Sequence, residues 1–134
     1  MLVDCSNPKS KSIKVMTWNI WHGGVHGNKA DGFEKDTLNT VNIYKVIKQE
    51  SPDVLLMQET YCCGMKIAQQ AGYQHSVRAS SNLSIHSKYP ITDTLKIFKP
   101  FNSQAVIINV EGQELLFVNT CLLYTSDAAD DPTC

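Results

Sequence analysis

Two apolar runs separated by one amphipathic stretch constrain this chain more than any other feature. Residues 13–20, IKVMTWNI, alternate apolar with polar and end at WHGG. That pattern predicts a strand followed by a glycine loop. The loop continues through His26, Gly27 and Asn28. Asp31, with Glu34 three residues on as its capping partner, then predicts a helix start. Leu38, Val41, Tyr44 and Ile47, with Ile43 and Val46 beside them, give that helix one broad apolar face. Ser51-Pro52 ends it, because the residue before a proline is pushed out of helical geometry. Residues 53–58, DVLLMQ, then form a continuous apolar run, as in a strand covered on both faces. A βαβ unit is the expected outcome, with both strands ending at the same edge of the sheet.

Beyond this unit the pattern predicts a short helix near 64–71, closed by Gly72. Strands are expected at about 73–78, 83–87, 91–98, 104–110 and 114–120, with turns at Tyr89-Pro90 and Glu111-Gly112. The fold class is therefore α/β, a mixed sheet with helices packed on one face. A hydrophobic share of 43% and a charged share of 19% argue against disorder. The net charge of -1 supplies no basic field of the kind that grips duplex nucleic acid. No apolar run reaches the roughly 18 residues that span a bilayer. Residues 1–11 read as a flexible lead-in without a signal-peptide core, and localisation stays open. Cys62 and Cys63 are adjacent, which fits neither zinc spacing nor a redox CxxC, so thiols are expected there. Residues 121–131, CLLYTSDAADD, back-translate to a string that resembles a transposase-type sequencing adapter. Residues 121–134 are accordingly expected to be a non-native tail, with residues 12–120 as the domain.

Two polar residues stand at the expected strand ends, Asn19 and Glu59. Ligands of α/β sheets favour that rim. A carboxylate and a carboxamide there would begin a hard-cation site, since magnesium takes one or two carboxylates plus waters and phosphate. Spacing alone equally allows Asn19 to cap a turn and Glu59 to sit in a surface ion pair. His22 and His26 follow Asn19 in the loop, as phosphate contacts or as exposed loop histidines. His86 reads as a satisfied histidine at a strand end.

VMTWNIWHGG, PDVLLMQET and NLSIHSKYPI, in that order, resemble three successive motifs of the endonuclease/exonuclease/phosphatase family. The resemblance covers residues 13–120. It implies the first half of a four-layer α/β sandwich, truncated. It also implies a Mg²⁺-dependent (or Mn²⁺-dependent) phosphoester hydrolase, with Glu59 as a metal ligand and Asn19 beside the metal, orienting the phosphate. Tyr61 would border the phosphate, Asn82 would line the cleft, and His22 would be a catalytic candidate. The substrate is a phosphoester, with nucleic acid, phospholipid and inositol phosphate undistinguished; no protein partner is implied. Trp21 stands where apurinic endonucleases commonly have an aspartate, and His86 where the family usually has an apolar residue.

The family's later histidine, Asp-x-Asn pair and closing Asp-His pair have no counterpart here, so the chain by itself is expected to be inactive. The inner face of the first sheet is expected to lie bare and to drive aggregation. The rival readings are a non-catalytic module binding a ligand through the loops at 21–31, and metal storage by His22, His26, Cys62 and Cys63.

Overall fold

The two apolar runs become neighbouring parallel strands, and their shared edge carries the candidate site. A computed structural model describes residues 12–25, 38–97 and 99–122 of the chain. β1 (Val15–Asn19) pairs in parallel with β2 (Val54–Gln58), so that Asn19 lies opposite Gln58. The crossover contains α1 (Leu38–Glu50); the helix start expected at Asp31 lies outside the described residues. α2 (Gly64–Ala71) follows β2 and closes at Gly72, whose φ of 100° explains the glycine. β3 (His75–Arg78) and β4 (Leu83–Ser87) complete a four-stranded mixed sheet in the order β1-β2-β4-β3.

Strands β5 (Ile91–Leu95), β6 (Ser103–Val110) and β7 (Gln113–Thr120) do not extend this sheet. They form a second, antiparallel one in the order β5-β6-β7. β2 is buried along its whole length because both its faces are covered. Leu55 and Met57 pack with Ile43, Ile47, Ile67 and Ala68 from the helices. Val54 and Leu56, on the other face, pack with Ile85, Val106 and Ile108. Truncating any of the buried leucine, isoleucine or methionine side chains among these to alanine would cost about 2–5 kcal/mol.

The bare inner face expected for the first sheet is therefore corrected: β6 and β7 cover it. Leu116 and Val118 of β7, 59% and 55% exposed, lie on the outer side of the second sheet, and other exposed apolar side chains, Val41 and Val46 of α1 among them, lie elsewhere. Alternation along β6 and β7 explains this, since one side of each strand faces β2 and β4 and the other faces away.

Polar side chains also cross between the sheets. The Asn119 amide, buried in β7, donates to the carbonyls of Met57 at 2.9 Å and Ser84 at 3.1 Å. Its Oδ1 accepts from Gln58 Nε2 at 2.5 Å, and Gln58 also donates to Thr17 Oγ1 at 3.0 Å. Gln104 Nε2 reaches the Val77 carbonyl at 2.9 Å. On the helix side His86 is buried between Ser76 Oγ at 2.7 Å and Ser84 Oγ at 2.8 Å. Burial lowers its pKa to about 4, so it is a neutral structural histidine, as its strand-end position suggested. Among the described residues, no helix is long and apolar enough to cross a membrane.

Candidate active site

Because β1 and β2 are parallel and adjacent, the loops that leave their carboxyl ends meet. Asn19 Nδ2 donates to Glu59 Oε1 at 2.8 Å. The His22 backbone N–H donates to Glu59 Oε2 at 3.2 Å, so each carboxylate oxygen has one protein donor. Glu59 is half-buried and Asn19 exposed, which leaves the pair open to solvent. Neither expected partner is misplaced or sealed off.

The amide of Asn19 points otherwise than expected. Its oxygen accepts from the Trp21 N–H at 2.9 Å and caps the turn, while its nitrogen faces Glu59. The turn-capping role and the contact with Glu59 thus coexist in one side chain. Its oxygen keeps a second lone pair and its NH₂ group a second hydrogen, so the side chain can still accept or donate beside Glu59.

The backbone around this pair is unusual. Trp21, His22, Glu59 and Tyr61 have φ of 45°, 48°, 54° and 31°, in the left-handed region that non-glycine residues seldom adopt. Such strain costs on the order of 1–3 kcal/mol per residue and persists only where the surroundings enforce it. The enforcing contacts can be named. Gly23 N–H donates to the Glu59 carbonyl at 2.6 Å, and Glu59 N–H donates to Asn82 Oδ1 at 3.1 Å. A Cβ on Gly23 would lie 3.0 Å from the Thr60 carbonyl oxygen and 3.1 Å from Cys62 Sγ, so at its φ of 73° a larger residue would be strained and would press the two loops apart.

Asn82, expected to line the cleft, is fully buried. Its Nδ2 donates to the Phe101 carbonyl at 2.9 Å and its Oδ1 holds Glu59, so it positions the glutamate from behind. Buried as it is, the amide is shut off from a substrate in the cleft. Tyr61 is half-buried beside the pair, its ring stacked on His22 at 5.5 Å and 19°. Burial, and then the nearby Glu59 carboxylate, raise its pKa, which keeps the phenol a hydrogen-bond donor. His22 is exposed. His26 lies outside the described residues.

Cys62 and Cys63, expected as thiols, are joined by a disulfide. The amides of Cys63 and Gly64 both donate to the Thr60 carbonyl at 3.0 Å, and this tight turn holds the two sulfurs together. Sequence reading also missed the Gln58–Asn119 link directly behind Glu59. Its signal was available, because Asn119 occupies an inward position of an alternating strand, where an amide must find buried partners.

Among the described residues, no three His, Cys, Asp or Glu side chains gather as a metal cluster. A single rim carboxylate suits magnesium or manganese, which keep waters and take phosphate oxygens, better than zinc, which wants three or four nitrogen or sulfur ligands.

The sequence matches the model of the Endonuclease/Exonuclease/phosphatase family over residues 16–129. The chain belongs to this family. Solved structures agree on the fold. A humanized TDP2 of D. rerio carrying 14 mutations superimposes with a TM-score of 0.65 at 16% identity, over 87% of this chain and 50% of that one. TDP2 from Caenorhabditis elegans gives 0.60 at 20% identity, over 86% and 36%. An endonuclease/exonuclease/phosphatase from Beutenbergia cavernae gives 0.56 at 17% identity, over 82% and 38%. The chain thus spans half or less of the length of these structures. A comparison with curated proteins finds no match.

Proposed function

We propose that this rim serves the divalent-metal-dependent hydrolysis of a phosphoester. The observation that carries the reading is the contact between Asn19 and Glu59 at 2.8 Å, at two adjacent strand tips in strained loops. Glu59 would hold Mg²⁺ or Mn²⁺. The ion, when bound, polarises a phosphoryl oxygen and neutralises charge that develops on it. The remaining N–H of Asn19 donates to a phosphate oxygen. The Tyr61 hydroxyl, kept protonated, offers a second donor at the border of the site. His22 stacks on Tyr61 and fixes its ring.

The 134-residue chain is proposed to bind the metal and not to turn substrate over. Efficient attack by water needs a base and a group for the leaving oxygen, and at the described rim Glu59 is taken by the metal while His22 and Tyr61 are stacked on each other.

Titrating the chain with Mn²⁺, followed by electron paramagnetic resonance, tests the metal site. Glu59→Ala should weaken binding at least about ten-fold, as loss of a direct carboxylate ligand does. Binding that is indifferent to Glu59→Ala would remove the basis of the proposal. Hydrolysis of bis(p-nitrophenyl) phosphate by the unaltered chain, abolished in the same variant, would show that the described rim suffices for catalysis.

A further inference from the structure

The Cys62–Cys63 disulfide follows directly on the left-handed Glu59 and Tyr61, and its two sulfurs have different surroundings. Cys62 is exposed, so a nucleophile from solvent reaches its Sγ first. Cys63 is half-buried at the start of α2 and packs against the helix-side core. The bond joins neighbours in sequence, so it removes little freedom from the unfolded chain and gains little support from it. Exposed disulfides belong to the labile, exchangeable class.

The same two residues form a wall of the rim. The Cβ position of Gly23 lies 3.1 Å from Cys62 Sγ and 3.4 Å from its backbone nitrogen. Behind the disulfide, the Cβ position of Gly64 lies 2.5 Å from Thr60 Cβ, so that side is filled too. The loop that rests on Cys62 supplies two donors to Glu59. The His22 N–H reaches Oε2 at 3.2 Å, and the Gly23 N–H reaches the carbonyl at 2.6 Å. Only that short loop therefore stands between the disulfide and the rim carboxylate.

We propose that Cys62–Cys63 is a thiol–disulfide exchange site whose oxidised form braces the rim and whose reduced form releases it. The co-reactant is a dithiol. One of its thiolates attacks Cys62 Sγ, the Cys62–Cys63 bond breaks, and the Cys63 sulfur leaves with the electron pair and takes a proton. The second thiol of the reductant loses its proton and attacks its own sulfur in the mixed disulfide. Cys62 is released and protonated in turn. The chain gains two electrons and two protons, and the dithiol becomes a disulfide. The freed sulfurs then separate to non-bonded distance. Cys63 is held by the core, so Cys62 moves, and the donors from His22 and Gly23 to Glu59 loosen with it. Control of metal binding rests on the reading of Glu59 as the metal ligand; the exchange site does not.

Trypsin cleavage after Lys48 and Lys66 gives peptide 49–66, in which Cys62 and Cys63 are the only cysteines. The full chain, denatured in iodoacetamide, should leave this peptide unlabelled. Native chain treated first with dithiothreitol and desalted under argon should give two labels. Without metal, the His22 and Gly23 amides should exchange with deuterium at least about ten-fold faster in the reduced chain, read by NMR. Mn²⁺ affinity should fall about ten-fold on reduction, as when a group behind a metal ligand is lost, and return with oxidised glutathione. Cys62→Ser with Cys63→Ser should show the reduced values with or without dithiothreitol. Reversal in the unaltered chain decides the matter if that variant fails to fold.

Two labels before reduction, or none after dithiothreitol, overturn the exchange site and leave Mn²⁺ binding through Glu59 untouched. Reduction that alters neither amide exchange nor Mn²⁺ affinity overturns the coupling to the rim. Faster amide exchange in a chain whose Mn²⁺ binding ignores Glu59→Ala supports the coupling and sinks the metal reading alone.

Discussion

Of the regions that put non-glycine residues into left-handed backbone, the β6–β7 hairpin and the rim do so for different reasons. At the β6–β7 hairpin, Glu111 and Gly112 have φ of 52° and 92°. A two-residue connection between twisted antiparallel strands requires that conformation, whatever surrounds it. The turn is supported locally, by Asn109 Oδ1 accepting from the Gly112 N–H at 2.7 Å. At the β1–β2 rim, Trp21, His22, Glu59 and Tyr61 adopt similar angles with no hairpin to demand them. There the conformation is held from a distance, by Asn82 behind Glu59 and by Gly23 pressed against Thr60 and Cys62. A turn that its own few residues can dictate is architecture. One that needs buried partners from other strands is a constellation the fold maintains, which is the expected behaviour of a functional site.

The contrast can be broken most directly at Asn82. Asn82→Ala strips the Glu59 N–H and the Phe101 carbonyl of a buried partner and should cost about 2–3 kcal/mol, read as a shift in the urea midpoint. Mn²⁺ affinity should fall with it, because Glu59 loses its backing. Asn109→Ala, the matching change in the hairpin, should cost no more than about 1 kcal/mol and leave Mn²⁺ binding alone. Equal losses at the two positions would mean that the rim is no more dependent on remote contacts than the hairpin.

Acid should act on the sheet that carries the rim, through His86. The folded chain holds this imidazole neutral, with a pKa near 4 against 6.5 for the free side chain. An unfolded chain therefore takes up the proton first as pH falls. Stability is full above about pH 6.5 and declines down to about pH 4, by about 3 kcal/mol at about 1.4 kcal/mol per unit. Urea melts at a series of pH values follow this directly, and a midpoint flat between pH 7 and pH 4 would contradict the buried, neutral assignment. His86→Leu should remove most of the slope.

The smallest effect belongs to the hairpin itself. Glu111→Asn places a residue suited to positive φ where the turn requires one, and should add about 0.5 kcal/mol. A loss at this position would indicate that the contacts of the glutamate side chain outweigh the relief at the turn.

Much of this architecture was legible in order along the chain. The alternation at 13–20, the unbroken apolar run at 54–57 and Gly72 after a short helical stretch each specify local structure through side-chain period or backbone freedom. Those signals act within a few residues, so they survive in a single sequence. The division of the later strands between two sheets was not legible. The same alternation serves a strand in either sheet, and only the packing of Val106 and Ile108 against Val54 and Leu56 decides which one it joins.

The same limit holds at the site. That Asn19 and Glu59 would end adjacent strands followed from the crossover between them and from the order of the three motifs. The sequence could not show that the Asn19 amide turns its nitrogen to Glu59, that Asn82 is buried as a support, or that Cys62 and Cys63 join. Sequence therefore determined which residues reach the rim, through strand period and chain direction. The tertiary structure alone decided how they face one another, because hydrogen-bond partners 23 to 62 residues apart become neighbours only once both sheets have packed.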